Sequence, residues 1–150
     1  MTYILYFEPP KDFHPTVHVA GCFCEWQDKI LYLKRHAEKP QGDTWGLPAG
    51  KLEKGEDSRT AAVREVQEEV GIQLNTDDLQ EVVKLYIRLN NVDYVFTAFR
   101  ARLLKTPKVQ LDYDAHVEAR WVTIEEALKL PLILGGKEIL QVYQSKISSS

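Results

Sequence analysis

Most of this chain follows the two-residue alternation of apolar and polar positions that is typical of strands. Apolar, β-prone residues fill 16–25 and 29–34, and the three residues between them, Trp26-Gln27-Asp28, indicate a hairpin. A second antiparallel pair is predicted further along, joined across Asn90-Asn91-Val92. The predicted strands, including two shorter ones, are 3–7, 16–25, 29–34, 80–89, 93–104 and 118–123.

The helical period of apolar residues first appears in residues 58–70. An apolar stripe recurs at intervals of four residues, so we expect this helix to pack that stripe against the sheet. The stripe consists of Ala62, Val66 and Val70. Asp57 is a suitable N-cap, and Gly71 is suited to the left-handed conformation that ends a helix.

Two more helices are predicted after the second strand pair. Thr123 occupies the N-cap position of the first, 124–130, with Glu126 at the capping-box position and Pro131 just beyond its end. The second, 136–146, is amphipathic. Strands on both sides of one helix, followed by two more helices, predict an α/β fold with a mixed β-sheet between helical layers.

The composition is that of a soluble globular protein, with 44% hydrophobic and 27% charged residues among 150. We expect residues 1–150 to form a single domain with a short Ser-rich tail at about 147–150. No apolar run approaches a membrane span and the start lacks signal-peptide features, so a cytoplasmic location without a membrane partner is expected. The net charge of −3 argues against a nucleic acid polymer and favours a small anionic ligand.

The two cysteines are expected to lie on one face of a strand. Cys22 and Cys24 are two residues apart, and alternate residues of a strand point to the same side. Reduced core thiols are the simplest interpretation. A structural zinc site usually has four ligands, and only His18 is close enough in the sequence to join them.

Three glutamates of the predicted helix 58–70 share one face. Steps of about 100° per residue place Glu68 and Glu69 on either side of Glu65. Like charges at these spacings destabilise a solvated helix, and acids near its C-terminal end oppose the macrodipole. A solvated acidic face is the ordinary explanation. A divalent cation is the alternative, because Mg²⁺ binds carboxylate oxygens and bridges to phosphates.

The spacing around these glutamates matches a known motif without departure. Five residues separate Gly50 from Glu56, and seven more precede Arg64-Glu65-Val66-Gln67-Glu68-Glu69-Val70-Gly71-Ile72. This pattern resembles the Nudix box of the Nudix hydrolase family. The resemblance implies an α/β/α sandwich, in agreement with the predicted elements, and a single Nudix hydrolase domain over residues 1–150.

The resemblance also implies roles for the motif residues. The predicted metal ligands, for one or more Mg²⁺ or Mn²⁺ ions, are Glu65, Glu68 and Glu69, with the Gly50 carbonyl and Glu56 completing the shell directly or through water. One of the glutamates is expected to deprotonate the attacking water. Arg64 is too basic to accept a proton, and its planar fork is expected to orient Glu68 and Glu56. The predicted catalytic residues are Glu65, Glu68, Glu69 and Arg64.

Candidates for substrate binding outside the motif carry weaker signals. Arg35 ends a predicted strand where related enzymes place a phosphate-binding arginine, and Tyr94 is an aromatic residue able to stack on a base. Glu118 is the first candidate for a further ligand or base in the polar stretch before the last strand. The remaining candidates are Tyr86, Phe96 and Tyr113 for stacking, and Asp114 and then His116 in the polar stretch. A strand-end cation, packing and a loop charge are the ordinary alternatives.

The resemblance implies hydrolysis of a nucleoside diphosphate linked to another group. A nucleoside or deoxynucleoside triphosphate, cleaved to monophosphate and pyrophosphate, is the default substrate. The alternatives are a nucleotide sugar, a dinucleoside polyphosphate and a non-catalytic nucleotide-binding module, and the intact glutamates favour catalysis. The proline that ADP-ribose hydrolases carry downstream of the motif is absent before Pro107. Exposed strand edges leave a homodimer open.

Overall fold

The computed structural model describes residues 2–148, in which the predicted elements appear in the predicted order. The strands are β1 (Tyr3–Tyr6), β2 (Val17–Trp26), β3 (Lys29–Arg35), β4 (Trp45–Gly46), β5 (Ala49–Lys51), β6 (Gln80–Leu89), β7 (Val92–Arg102) and β8 (His116–Val122). The helices are α1 (Ser58–Val70), α2 (Ile124–Leu128) and α3 (Gly136–Ser148), with a 3-10 turn at Thr76–Asp78. The prediction of an α/β fold is therefore confirmed.

Several boundaries differ from the predictions, most by one or two residues. The very short strands β4 and β5 were missed because two or three residues carry no measurable alternation. Strand β8 begins two residues earlier than predicted, at His116. Helix α2 ends at Leu128, earlier than predicted, whereas α3 continues through Ser148 into the segment expected as a tail. The last two tail residues, Ser149 and Ser150, lie outside the described residues.

The strands form one mixed sheet in the order β1-β6-β7-β2-β3-β4. Strands β2 and β7 are parallel, and the other pairs are antiparallel. The predicted hairpin between β6 and β7 turns at Asn90 and Asn91, which both have positive φ angles. Asparagine tolerates this conformation better than most residues, so the turn has a local cause.

Strands β2 and β3 separate soon after their hairpin. They pair only at Glu25↔Ile30 and Trp26↔Lys29. Beyond these pairs, β2 bonds to β5, whereas β3 bonds to β4 and β8. The divergence leaves space between neighbouring parts of one sheet, and the candidate site is built around it.

The sheet separates two hydrophobic clusters. Under α1, Val66 and Val70 pack with Leu31, Leu33 and Phe99. The opposite face carries α2 and α3, whose buried residues pack on another set of strand side chains. The main members of that set are Phe23, Tyr32, Leu85, Ile87 and Leu140. Helical layers on both faces match the predicted sandwich.

The first cluster also contains both cysteines. Cys22 and Cys24 are fully buried free thiols on the face covered by α1. Hydrogen bonding to Cys24, together with burial, raises the pKa of Cys22, so this thiol stays protonated. The interpretation of both residues as core thiols agrees with the structure.

Helix α3 is fixed to the sheet by a buried polar contact. The hydroxyl of Tyr143 donates to the carboxylate of Glu25, and Arg100 Nε donates to the same oxygen over 2.6 Å. Phe23 stacks on the Tyr143 ring with centroids 4.0 Å apart. Because the accepting carboxylate is charged and buried, this hydrogen bond contributes more to the free energy of unfolding than an exposed one would.

We therefore expect Tyr143→Phe to lower the free energy of unfolding by about 1–2 kcal/mol, the usual range for a lost hydrogen bond to a charged acceptor. The ring stack is kept, so the change isolates the hydroxyl. Urea unfolding followed by far-ultraviolet circular dichroism measures the effect. Tyr113→Phe is the matched control because Tyr113 is exposed. Equal midpoints for the two variants would contradict the role given to Tyr143.

Candidate functional site

The motif residues meet where β5 crosses the C-terminal half of α1. Strand β5 is held to β2 through the register Ala20↔Gly50, and it packs on α1. A Cβ atom at Gly50 would overlap the carboxylate of Glu65. The absence of a side chain at this position therefore lets the glutamate lie directly against the β5 backbone.

Helix α1 has the caps that its sequence predicts. The Asp57 side chain accepts the N–H of Thr60 at the first turn, and Gly71 ends the helix with a φ of 71°. These two ends fix the registry of the three glutamates relative to the sheet. Glu65 and Glu69 face inward toward the β5 backbone, whereas Glu68 is exposed.

Glu69 is the most deeply buried of the three acids. Its carboxylate accepts the backbone N–H of Ala49 over 3.1 Å. Burial, reinforced by the charge of Glu65, raises the pKa of Glu69 to about 8, against the opposing effects of the Ala49 N–H and of Arg35.

Arg64 holds most of the remaining acids. Its Nε and Nη2 donate to the two carboxylate oxygens of Glu56, each over 2.8 Å. Its Nη1 donates to Glu65 over 2.9 Å and to Glu68 over 3.2 Å, and Nη2 also donates to the Lys51 carbonyl over 3.0 Å. One guanidinium thereby joins the loop 51–56 to the helix, as its predicted orienting role requires.

These contacts separate the acids by their electrostatics. The bonds from Arg64 lower the pKa of Glu56 to about 2. Burial raises the pKa of Glu65, although Arg64 opposes the shift. Glu56 is thus a paired carboxylate with both oxygens engaged. Glu69 has no ion pair to a basic side chain among the described residues.

The carboxylates of the motif suit a divalent cation, although their oxygens do not converge on one point. Among residues 2–148, no three His, Cys, Asp or Glu side chains are placed to hold a metal ion together. Arg64 draws Glu65 and Glu68 toward itself, so these carboxylates must turn to share an ion. Glu69 lies beside Glu65 without an ion pair among the described residues, and carboxylate oxygens are ligands that Mg²⁺ and Mn²⁺ prefer. The residues present therefore fit such an ion.

A cavity of about 400 Å³ lies beside this cluster, in the space opened by the divergence of β2 and β3. Its walls are mainly apolar side chains from the sheet and from the segment before α3. They include Val17, Val19, Ile87, Phe96, Ile133 and Ile139. Ala49 and Lys51 of β5 line its edge, so the cavity adjoins the motif. Size and lining are those of a small-molecule site.

The structure brings two of the three predicted substrate-binding residues to the cavity. Arg35 lines it at the end of β3, with Nε donating to the Pro40 carbonyl over 2.8 Å. Tyr94 lines it from β7, and burial raises the pKa of its hydroxyl. Among the other aromatic candidates, Phe96 also lines the cavity.

Glu118, the third predicted substrate-binding residue, lies outside the cavity wall. Its carboxylate bonds to Arg120 over 2.7 Å, and it does not line the cavity. Arg120 in turn covers the ring of Trp45 in the cluster beneath α2 and α3. Alternation along β8 gives Glu118 the same side of the sheet as Arg120, away from α1.

Two of the aromatic candidates have ordinary structural roles. Tyr86 packs edge to face on Phe13, with ring centroids 5.5 Å apart. Tyr113 is 70% exposed. Asp114, from the same polar stretch, is exposed as well. None of the three lines the cavity.

His116 was the last of the three candidates in the polar stretch, and it is the one that lines the cavity. It is opposite Arg35 in the β3–β8 pairing, and it lines the cavity while only 6% exposed. Burial and the charge of Arg35 lower its pKa, against a smaller opposing effect of Asp112. Because the polar stretch was interpreted as a loop, the position of His116 within a strand was not recognised.

None of the helices within residues 2–148 combines the length and apolarity needed to span a membrane.

Comparison with known proteins gives a consistent family assignment. A family model described as the NUDIX domain matches residues 14–143. The ADP-ribose pyrophosphatase of Bacillus subtilis is 34% identical over 122 residues, which are 80% of this chain and 62% of that protein. The CTP pyrophosphohydrolase of Escherichia coli is 26% identical over 131 residues, covering 86% of this chain and 92% of that protein.

Similarity to solved structures extends over nearly the whole chain. The solution structure of the Escherichia coli ORF135 protein matches with a TM-score of 0.76 and 24% identity, covering 95% of this chain and 97% of that one. An Ap4A hydrolase binary complex from C. elegans matches with a TM-score of 0.73 and 23% identity, covering 90% and 100%. At these identities the similarity establishes a common fold.

The electrostatics of Glu69 predict that the metal-free protein loses stability as the pH rises from about 5 to 8. In this interval the folded protein keeps a proton on Glu69, whereas an unfolded glutamate, with a pKa of 4.5, has released it. The native state then binds more protons than the unfolded state, so each increase in pH favours unfolding. The raised pKa of Glu65 acts in the same direction.

Thermal unfolding in a chelating buffer between about pH 5 and 9 measures this dependence. In Glu69→Gln the slope should flatten, because glutamine accepts the Ala49 N–H without titrating. Every other titratable group is common to the two proteins, so the difference between the variant and the wild type is the informative quantity. Parallel curves for the two proteins would contradict the raised pKa.

Proposed function

This chain belongs to the Nudix family, and on that basis we propose that it is a metal-dependent pyrophosphohydrolase. It cleaves the diphosphate linkage of a nucleoside diphosphate joined to another group. The default substrate is a nucleoside or deoxynucleoside triphosphate, which yields a monophosphate and pyrophosphate. The partner is therefore a small nucleotide and not a nucleic acid polymer.

One observation carries the proposal: Glu69 is buried beside Glu65 without a basic partner among the described residues. Two carboxylates at close range in a largely buried site repel each other, and the pKa of about 8 expresses that repulsion together with desolvation. A cation removes the conflict. The adjoining cavity supplies room for the rest of a nucleotide.

We assign the metal site to Glu65, Glu68 and Glu69 together with the Gly50 carbonyl. Mg²⁺ or Mn²⁺, when bound there, neutralises charge on the pyrophosphate oxygens and lowers the pKa of a coordinated water. One of the three glutamates accepts the proton of the attacking water. Glu56 would complete the shell directly or through water, and both of its oxygens accept from Arg64.

Arg64 is a positioning residue in this mechanism. It fixes the loop 51–56 against α1 and limits the rotation of Glu65 and Glu68. Arg35 and Lys51 are the cations beside the cavity and are suited to the phosphates. Tyr94 and Phe96 offer rings for stacking on a base. No substrate role is given to Glu118.

The group attached to the phosphates is not decided by similarity. The two curated relatives described above are named for different substrates, ADP-ribose and CTP. The absence of a proline between the motif and Pro107 speaks against ADP-ribose. A triphosphate therefore stays the default. A cytoplasmic location and a homodimer stay predictions.

The proposal is tested with a panel of nucleoside triphosphates, nucleotide sugars, dinucleoside polyphosphates and ADP-ribose. Each is incubated with the protein and Mg²⁺ or Mn²⁺, and the products are separated by anion exchange. We expect metal-dependent release of a nucleoside monophosphate from at least one of them. Nucleotide binding without turnover across the panel would favour the alternative, a non-catalytic nucleotide-binding module.

Glu69→Gln should lower turnover by at least about 100-fold, because it removes a charged ligand while preserving shape and the Ala49 hydrogen bond. Gln67→Ala is the matched control on the exposed side of α1, and it should retain wild-type kcat and KM. Steady-state kinetics and isothermal titration with Mn²⁺ measure the two effects. Near wild-type activity in Glu69→Gln would remove this residue from the metal site.

Arg64→Lys should lower kcat by about 10-fold or more with a smaller change in KM. A lysine ammonium cannot donate to both oxygens of Glu56 and also hold Glu65 and Glu68. Arg59→Lys on the same helix is the control, since Arg59 donates to the backbone carbonyls of Thr76 and Leu79 and lies over the Phe99 ring, and within residues 2–148 it makes no hydrogen bond or ion pair with a motif acid. If both variants keep wild-type kcat, positive charge alone is sufficient at Arg64.

A further inference from the structure

The polar side chains of the cavity are unusual in their chemistry. Apart from tyrosine hydroxyls, they are Arg35, Gln41, Lys51 and His116, and no Asp or Glu among residues 2–148 lines the cavity. The acids of the motif belong to the neighbouring cluster around α1. A ligand in the cavity therefore meets side-chain hydrogen-bond donors and no carboxylate acceptor.

Gln41 has a defined orientation within this wall. The backbone N–H of Leu134 donates to its side-chain oxygen over 2.8 Å. Since an N–H needs an acceptor, the partner must be the amide oxygen, and the NH₂ group is left to donate. The cavity side of Gln41 is consequently a fixed donor pair.

The backbone around Gln41 is held as firmly as its side chain. The Thr44 hydroxyl donates to the Gln41 carbonyl over 2.6 Å, and Arg35 Nε donates to the preceding carbonyl of Pro40. A Cβ atom at Gly42 would overlap the Ala37 carbonyl, so the turn is tight. The donor of Gln41 is pre-organised before any ligand arrives, which reduces the entropic cost of binding.

His116 provides a second polar group without a partner. This side chain is only 6% exposed and lines the cavity. Its Nδ1 makes no hydrogen bond among the described residues. Buried polar atoms are rarely unpaired unless a ligand or water completes them. His116 pairs with Arg35 across β3 and β8, and Arg35 bonds next to Gln41, so these residues belong to one part of the wall.

We propose that Gln41, with His116 beside it, hydrogen-bonds the carbonyl oxygen at C4 of a pyrimidine or at C6 of a purine, so that the substrates are nucleotides of 4-oxopyrimidines or 6-oxopurines. This inference rests on the proposed function and names its substrate class. Uracil, thymine, hypoxanthine and guanine present a carbonyl where cytosine and adenine present an amino group. An amino group would oppose the Gln41 donor and leave both unpaired.

Equilibrium binding without metal tests this class independently of turnover. Isothermal titration in a chelating buffer compares UMP with CMP and IMP with AMP, pairs that differ mainly at the exocyclic group. We expect the carbonyl member of each pair to bind at least about tenfold tighter, the ratio that one unpaired buried group produces. Equal affinities, tighter CMP, or no detectable binding of UMP and CMP at millimolar concentration would overturn the proposal.

Gln41→Glu replaces the donor by an acceptor of the same shape while keeping the bond from Leu134. UMP should bind at least about tenfold more weakly, and CMP should become the tighter ligand of the pair. Ribose 5-phosphate serves as the phosphate control and should be much less affected. An equal loss for UMP, CMP and ribose 5-phosphate would mean that Gln41 contacts phosphate, which overturns the proposal. Gln144→Glu makes the same chemical change at an exposed position of α3 and should change none of the affinities.

His116→Phe keeps a ring in the buried space and removes both nitrogens. UMP affinity should fall while the melting temperature is unchanged or higher, because an unpaired polar atom is lost. A variant that melts earlier but binds UMP normally would assign His116 a structural role only.

Failure of the proposed function is a separate outcome. It appears as absent hydrolysis with metal, whatever the ratio of the binding affinities. Hydrolysis with CTP preferred over UTP would leave the function standing and overturn this inference.

Discussion

The ion pair between Arg64 and Glu56 is the contact on which the site depends. A single guanidinium donates to both oxygens of Glu56, to one oxygen each of Glu65 and Glu68, and to the Lys51 carbonyl. One cation therefore compensates three neighbouring acids. A charge of this kind is needed, because like charges at three- and four-residue spacings otherwise destabilise a helix. The compensation does not extend to Glu69. The deepest carboxylate is therefore the one with the raised pKa, and the demand for a second cation is concentrated there.

The divergence of β2 and β3 explains why this cluster has a cavity beside it. With only two residue pairs joining them, each strand takes new partners, and β5 is placed between the sheet and α1. The residues proposed to handle the phosphates lie on β5 and α1, whereas the apolar wall comes from β2, β7 and the segment before α3. Arg35 and Lys51 line the cavity, and Arg35 also acts electrostatically on Glu69. The proposed binding of phosphate and the proposed binding of the base therefore involve neighbouring elements of the fold.

The elements could be predicted from the sequence where their causes are local. The caps Asp57 and Gly71, the asparagine turn and the motif spacing depend on adjacent residues, and all appear as expected. The cavity has no such signature, since Val17, Tyr94 and Ile133 meet only after the sheet has formed. The position of His116 was missed for a related reason: β8 starts two residues before the predicted strand, so His116 was regarded as a loop residue. The burial of Glu69 depends on β5, a strand of three residues that alternation cannot detect.

The segment 36–48 connects the cavity wall to the acidic cluster. The residues proposed to select the substrate can therefore change while those proposed for hydrolysis stay the same. Arg35 anchors this segment three times, through its own N–H to Thr44, its carbonyl to the Asp43 N–H and its Nε to Pro40. The same segment carries Gln41 into the cavity and continues to Ala49, whose N–H bonds to Glu69. Substitution of a side chain such as Gln41 alters the cavity wall but leaves these backbone anchors in place. The residues proposed to contact the base are therefore separable from those that hold the acids.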